Sequence, residues 1–314
     1  MKSYQHFLIT CFNLDLKIRP REQILDEKYL SKRLKLFTDI CYPSVKTQTN
    51  QNFQWLVFFD SETPETVKKE IFKLASWEKM LPVFVDTVDV SRNMWGDIVR
   101  NYLQEDTEFV ITTNLDNDDA ISRDYIDLIQ DSYREQEFEF INFPFGYILN
   151  DQGLFLREFL SSPFLSLIES KHGVVTCKII GHERLYEMSQ KGVSVRHRVA
   201  HPTWLQIVHD SNVLNYRDVN SVIQSPSKIS QYFEIGQLSS NYVHESYKYK
   251  DYMLRFLRHI FKNKKLSLTR RIRMIATLIN PNIPLLYFQY ISAQKYASYP
   301  KVTPQQARDL CRNS

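Results

Sequence analysis

An α/β fold of Rossmann type, with a mainly parallel sheet covered by helices on both faces, is what the sequence predicts, and three observations carry it. Short apolar runs at His6–Leu14, Phe53–Phe59, Leu81–Val90 and Phe109–Leu115 alternate with amphipathic stretches, the pattern of βα units whose strands are buried on both faces. The fourth run leads directly into three carboxylates within four positions, Asp116, Asp118 and Asp119. The carboxyl ends of the strands are where open α/β sheets bind ligands. Finally, 314 residues with 43% apolar and 24% charged content suit one large globular domain with an appendage.

The elements follow in order. After the first strand, Leu30, Leu34, Phe37 and Cys41 recur at helical spacing, predicting a helix over about 28–41 that Pro43 ends or kinks. The second strand stops at Asp60. Thr63 and Pro64 then read as N-cap and first position of a helix that buries Val67, Ile71, Leu74 and Ala75. Asn93–Gln104 turns Met94, Trp95, Ile98, Val99 and Tyr102 inward, and Ser122 caps a helix burying Ile126, Ile129 and Tyr133. Phe138–Leu149 and Val174–Ile180 read as further strands.

Composition narrows the chemistry. With seven glycines and neither G-x-G-x-x-G nor G-x-x-x-x-G-K-[ST], phosphate must be held by side chains or a metal rather than by a Gly-rich loop. Cys11, Cys41, Cys177 and Cys311 are far apart and form no C-x-x-C pair, which predicts reduced thiols and a cytoplasmic chain. Phe7–Phe12 is too short for a signal-peptide core. Charge is uneven: residues 252–308 hold 11 Lys and Arg and no acid, leaving the rest with 29 basic against 36 acidic residues.

Clustered carboxylates at a strand end repel one another unless a cation or proton relieves them. A hard divalent metal does so and can bridge to phosphate. The simpler alternative is a turn in which Asp116 and Asp119 cap the next helix; the apolar strand before them favours the ligand site.

At this point the residues resemble a family. Gly96–Asn101 followed by Phe109–Ile121 is similar to the "ARN…strand-LD-x-DD" passage of GT-A-fold nucleotide-sugar glycosyltransferases of the family-2 type. Across roughly 1–220 the chain resembles a bacterial group of rhamnosyltransferases, through His6–Thr10, Pro43–Val45, Phe53–Asp60, Leu115–Ala120 and Trp204–Asn212. The resemblance implies a GT-A-like domain over 1–220, with a nucleotide-binding half at 1–120 and an acceptor half at 121–220. A mostly helical basic extension follows at 221–314.

It also implies roles. Asp116 and Asp118 match the Asp-x-Asp pair that holds a Mn²⁺ or Mg²⁺ ion, with Asp116 also near the ribose, and Asp119 meets the donor sugar or orients the pair. His209 is the candidate late metal ligand, its alternative being a hydrogen-bonded strand-end histidine. Asp60 matches the aspartate that binds the nucleotide base, though it also suits helix entry. Arg100 matches the arginine of "ARN" and could grip a diphosphate bidentately; Thr10 and Asn13 are nucleotide candidates by position. No Glu-Asp pair follows Asp119, so Glu183, and after it Asp210, are the candidates for catalytic base. Glu183 is equally well explained as a first-turn acid favoured by the helix dipole.

The implied reaction transfers a sugar, rhamnose by the family's label, from a nucleotide-diphosphate donor to a glycan or lipid-linked acceptor in cell-surface polysaccharide synthesis. In the basic tail, Met253–Lys265 is amphipathic, and Leu268, Ile272, Ile275 and Ile279 line one stripe beside Arg270, Arg271 and Arg273. Such helices dock on an anionic membrane surface, here the inner face of the cytoplasmic membrane, or pack on the acidic body. Three other functions are weaker. A sugar nucleotidyltransferase needs a Gly-rich basic loop, and Leu14–Arg21 has no glycine. A non-catalytic carbohydrate-binding scaffold has no need of three acids. Nucleic acid would be repelled by them.

Overall fold

The computed structural model describes residues 3–86, 88, 90, 91, 93–150, 153–208, 222–236, 253, 254, 256–258, 260–263, 266–280, 283 and 301–313. Strands β1 (Tyr4–Cys11), β2 (Gln54–Asp60), β3 (Met80–Val85) and β4 (Phe109–Asn114) run parallel in the order β3-β2-β1-β4. Their side chains alternate between two cores. Leu8, Trp55, Val57, Phe59 and Ile111 face one side, packed with Leu30, Val67, Ile71, Ile126 and Ile129. These partners come from helices α2 (Glu27–Leu36), α4 (Glu65–Leu74) and α6 (Tyr125–Gln130); α1 (Arg21–Ile24) and α3 (Tyr42–Lys46) are short connecting turns. Phe7, Ile9, Leu56, Phe58 and Val110 face the other side, against Trp95 and Val99 of α5 (Met94–Arg100). Burial on both faces is why these strands are continuous apolar runs.

Beyond β4 the sheet changes direction. Strand β9 (Ser166–Ser170) lies antiparallel to β4 and to β6 (Phe138–Asn142), and β10 (Val195–His197) closes the edge parallel to β6. A second sheet has the order β12-β8-β7-β11-β5, from Val222–Gln224, Gly153–Glu158, Phe145–Asn150, Trp204–Ile207 and Ala120–Ile121. The alternating layout and mainly parallel central sheet expected from the sequence are therefore present.

Three local expectations need correction. The run Phe138–Leu149 is two strands in different sheets, because the chain breaks at Phe143–Pro144 and Pro144 has no N–H for a ladder. The first long helix ends at Leu36 and passes through a wide π turn at 37–41 into α3, where Pro43 sits in the first turn and costs no hydrogen bond. The stretch 174–180 is no strand: Thr176 has φ 69°, and the amides of Val175 and Thr176 donate to the buried Glu169 carboxylate instead of to a neighbouring strand.

That carboxylate gives the fold a pH signature. Burial lifts Glu169 to about 7, against the downward pull of the Thr176 and Val175 amides. Between pH 4.5 and 7 the folded carboxyl binds more protons than the unfolded one, so stability falls as pH rises through that window and levels off above it. The expected loss is on the order of 3 kcal/mol. Urea unfolding of wild type and Glu169→Gln from pH 4.5 to 8 checks it: the wild-type decline should be largely absent from the variant, and parallel curves would refute the assignment.

At the C-terminus, α7 (Leu185–Gln190) and α8 (Lys228–Tyr232) precede α9 (Leu268–Ile279) and α10 (Pro304–Arg312). Helix α10 returns to the body, burying Ala307 and Cys311 and stacking Arg308 over Phe138 at 5.3 Å. Helix α9 buries Met274 and Thr277 but leaves Leu268, Ile272 and Ile279 exposed. Among the described residues no helix is long and apolar enough to cross a membrane.

Candidate active site

Parallel pairing brings the carboxyl ends of β1, β2 and β4 to one end of the sheet, with Cys11 opposite Phe58 and Asn114 opposite Ile9. Antiparallel β9 begins beside Thr113, which places the preceding loop on the same edge. Leu165 accepts from the Asn114 amide at 2.9 Å and Pro163 from its side chain at 2.7 Å. Here β4 leads through Asp116–Asp119 into β5 of the second sheet, at the end where open α/β sheets form their binding crevice.

The three acids are held differently. Asp116 is half-buried, and its carboxylate makes no hydrogen bond among the described residues. Asp118 is 7% exposed and forms an ion pair with Arg33 of α2, Nη1 to Oδ2 at 2.9 Å. Burial works against the Arg33 charge, yet Asp118 outweighs it and holds the guanidinium more firmly protonated than usual. Arg33 also donates through Nη2 to Asn117, whose side-chain amide donates to the Cys11 and Phe12 carbonyls at 3.1 and 2.8 Å. Asp119 is buried and accepts from the Ile207 amide of β11 at 2.9 Å. Burial, with Asp118 and Asp116 beside it, pushes its carboxyl well above the usual range despite that amide. The acid cluster thus ties the main sheet to the second one.

The nucleotide candidates are placed less uniformly. Asp60 is fully buried, with Arg21 of α1 astride both carboxylate oxygens at 3.2 Å and the Glu62 amide on Oδ1 at 2.9 Å. Asn13 sits beside it but is spent on structure, accepting from the Asp60 amide at 3.3 Å and donating to Ile24 and Thr63. Thr10 points into the core and accepts from the Trp55 indole at 2.9 Å. Arg100 is not directed at the acids: it donates to the Val174 carbonyl at 2.8 Å and pairs with Asp97. Glu183 is exposed in a 3₁₀ turn moored to the crevice loop, where His182 Nδ1 meets the Ser161 carbonyl at 2.7 Å. His209 and Asp210 lie outside the described residues.

Three cations at this edge carried no sequence signal: Arg21, Arg33 and Lys178. Lys178 follows Cys177, whose amide donates to Thr112 of β4, and its ammonium lies 5.3 Å over the Trp95 ring. Burial pushes the Cys11 thiol up; Lys178 and Arg33 pull it back, and Asp116 adds to the rise.

Among the described residues no three His, Cys, Asp or Glu side chains are gathered as a ready-made metal cage. The donor chemistry nonetheless suits a hard cation: Asp116 and Asp118 offer carboxylate oxygens, and Asp118 already draws a guanidinium as counter-charge.

Solved structures with similar folds include S. aureus TarS residues 1–349, at 11% identity over 96% of this chain and 77% of that one, TM-score 0.40. The same protein in complex with UDP gives 12%, 99%, 90% and 0.40. The mannosyltransferase PcManGT from Pyrobaculum calidifontis, in complex with GDP-Man and Mn²⁺, gives 9%, 98%, 87% and 0.40. At such scores no residue role is carried across. No curated protein matches the sequence. The profile of the family described as "Putative rhamnosyl transferase" matches residues 15–220, a span that includes Asp60 and Asp116–Asp119 and leaves out β1 and β12. The chain belongs to that family of glycosyltransferases.

Proposed function

We propose that this chain moves a sugar, rhamnose on the family's description, from a nucleotide-diphosphate donor to a glycan or lipid-linked acceptor in cell-surface polysaccharide synthesis. The observation that carries the reading is the delivery of Asp116, Asp118 and Asp119 by a parallel strand to the ligand-binding end of the sheet, with Arg33 paired to Asp118.

Breaking the glycosidic bond loads negative charge onto the departing diphosphate, and the site must stabilise it as it develops. Asp116 and Asp118 would hold a Mn²⁺ or Mg²⁺ ion, with His209 as a further ligand, and the bound ion would supply Lewis-acid stabilisation of that charge. Asp119, with its carboxyl kept toward the protonated form by burial, can donate a hydrogen bond to a sugar hydroxyl as well as accept from Ile207. The base reaches Asp60 only when Arg21 releases one of its oxygens. For the acceptor, Glu183 is the first candidate to take a proton, on a turn tied through His182 to the loop before β9; Asp210 is the second candidate.

The exposed Leu268, Ile272 and Ile279 of α9, at 74%, 59% and 81% exposure, lie beside Arg270. That supports peripheral docking on an anionic membrane, which would bring a lipid-linked acceptor to the crevice. Behind α9 lies a cavity of about 620 Å³, walled by Phe145, Leu156, Met274 and Ile283.

Calorimetric titration with UDP, dTDP and GDP, in the presence of Mn²⁺ or Mg²⁺, tests the reading on wild type and Asp118→Ala. One nucleotide should bind, need the cation, and be lost in the variant. A folded wild type that binds none of them would overturn the reading in favour of a non-catalytic carbohydrate-binding protein.

A further inference from the structure

Arg33 is the arginine that meets the acid turn directly. Its two terminal nitrogens serve Asp118 and Asn117, while Nε is buried and meets no acceptor among the described residues. A buried donor without an acceptor costs about 1–3 kcal/mol. The arginine's charge is therefore matched, but its planar fork of donors is not filled. That fork fits two oxygens of a phosphate as well as it fits a carboxylate.

The placement adds a second constraint. Asp118 Oδ2, the oxygen that Arg33 holds, is one of the oxygens proposed for the divalent ion. A guanidinium and a metal ion drawn to the same carboxylate repel each other, so the two compete for it. Arg33 is carried by α2, a ten-residue helix capped by Asp26, so its backbone is fixed while its long side chain is free to change acceptor. The neighbouring turn is fixed as well, because Asn117 is pinned to the Cys11 and Phe12 carbonyls.

We infer that Arg33 is an exchangeable counter-ion: it holds Asp118 in the free protein and passes to the donor's diphosphate when a divalent cation takes Asp118. This rests on the reading of the site as a nucleotide-sugar site and adds how its charges are shared. Three consequences follow from linkage. In the free protein, Arg33 and the cation compete, which weakens cation binding. Donor phosphate draws the arginine away and strengthens it. The cation in turn frees the arginine for the donor, so the two ligands favour each other through one side chain.

The test uses the full chain and two titrations. With Mn²⁺ alone, Arg33→Met should bind the ion about tenfold more tightly than wild type, a size typical of coupled sites. Arg33→Lys should fall between, and Asp118→Asn should abolish binding. With Mn²⁺ saturating, the nucleoside diphosphate that wild type binds best among UDP, dTDP and GDP should bind Arg33→Met about tenfold more weakly, the loss of one charge-assisted contact. Thermal melts establish that each variant is folded, and Arg33→Lys keeps the test available if Arg33→Met is not. Unchanged or weaker Mn²⁺ affinity in the Arg33 variants overturns the exchange on Asp118. Tighter Mn²⁺ binding with undiminished nucleotide affinity overturns the passage to the diphosphate. If wild type binds no nucleotide at all, the nucleotide-sugar reading fails, while the Mn²⁺ titration still decides whether Arg33 competes for Asp118.

Discussion

Asp116→Ala is expected to lower sugar transfer by roughly 10²–10³-fold, the cost of removing one group that stabilises charge in the transition state, while leaving the melting temperature nearly unchanged. The two halves of that expectation have separate causes. Asp116 is half-buried and its carboxylate has no hydrogen-bond partner among the described residues, so its truncation removes no internal contact, and such substitutions usually stay within about 0.5 kcal/mol. Asp118→Ala would instead strand Arg33, and Asp119→Ala would strand the Ile207 amide, so either variant mixes stability with chemistry. Release of sugar from UDP-, dTDP- and GDP-linked donors, measured beside a thermal melt, makes the comparison. A folded Asp116→Ala with turnover within threefold of wild type would remove this carboxylate from the mechanism.

Why that site was legible in the sequence, and its surroundings were not, comes down to the range of the interactions. Strand β4 is read from seven consecutive residues, and the acids it delivers follow without a gap. Both the sheet edge and its charge are therefore local properties, and the alternation of Leu8 and Ile9, or Val57 and Phe58, between two cores follows from a period of two. The helix of α4 was likewise visible in its own spacing. The region after residue 138 was not. There the topology depends on β9 turning back antiparallel between β4 and β6, and on Pro144 splitting one apolar run between two sheets. The first event joins residues far apart in sequence; the second turns on Pro144, a local strand-breaking signal inside the apolar run.

The same distinction separates the site residues. Asp60 is marked in the sequence by its place at a strand end, but its partner Arg21 lies 39 positions earlier, in a segment whose composition shows only scattered charge. Arg33 reaches Asp118 across 85 positions. On its own helix it is one basic residue among several, and nothing in the spacing of Leu30 and Leu34 marks it. Lys178 lies in a stretch that reads as a strand because Val174, Val175, Ile179 and Ile180 are β-branched. The buried Glu169 captures its amides, and no local propensity anticipates a carboxylate from the preceding strand. Thr10 was misjudged for a related reason: a strand-end threonine can face the crevice or the core, and only the Trp55 indole that it accepts from decides which.

Trp204→Ala is expected to cost about 3–5 kcal/mol, the range for emptying a buried aromatic site and a large share of the roughly 5–15 kcal/mol that keeps a domain folded. The indole is fully buried, stacks on Phe164 at 5.2 Å with 11° between planes, and donates to the Phe143 carbonyl at 2.9 Å. It also covers Gly146 so closely that a Cβ there would lie 1.9 Å from the ring. Gly146→Ala alone should therefore be destabilising through overpacking, by about 1–3 kcal/mol or more. Placed in the Trp204→Ala background, the same methyl enters the vacated space and should cost far less, so the pair is expected to be non-additive by more than 1 kcal/mol in a double-mutant cycle read by urea unfolding. Additivity within about 0.5 kcal/mol would mean that the indole does not sit on Gly146. The cycle bears on function as well as folding. Three residues after Trp204, the Ile207 amide donates to Asp119, so loosening β11 loosens the only described hydrogen bond that orients that carboxyl from the second sheet, and turnover in Trp204→Ala should fall even under conditions where the protein remains folded.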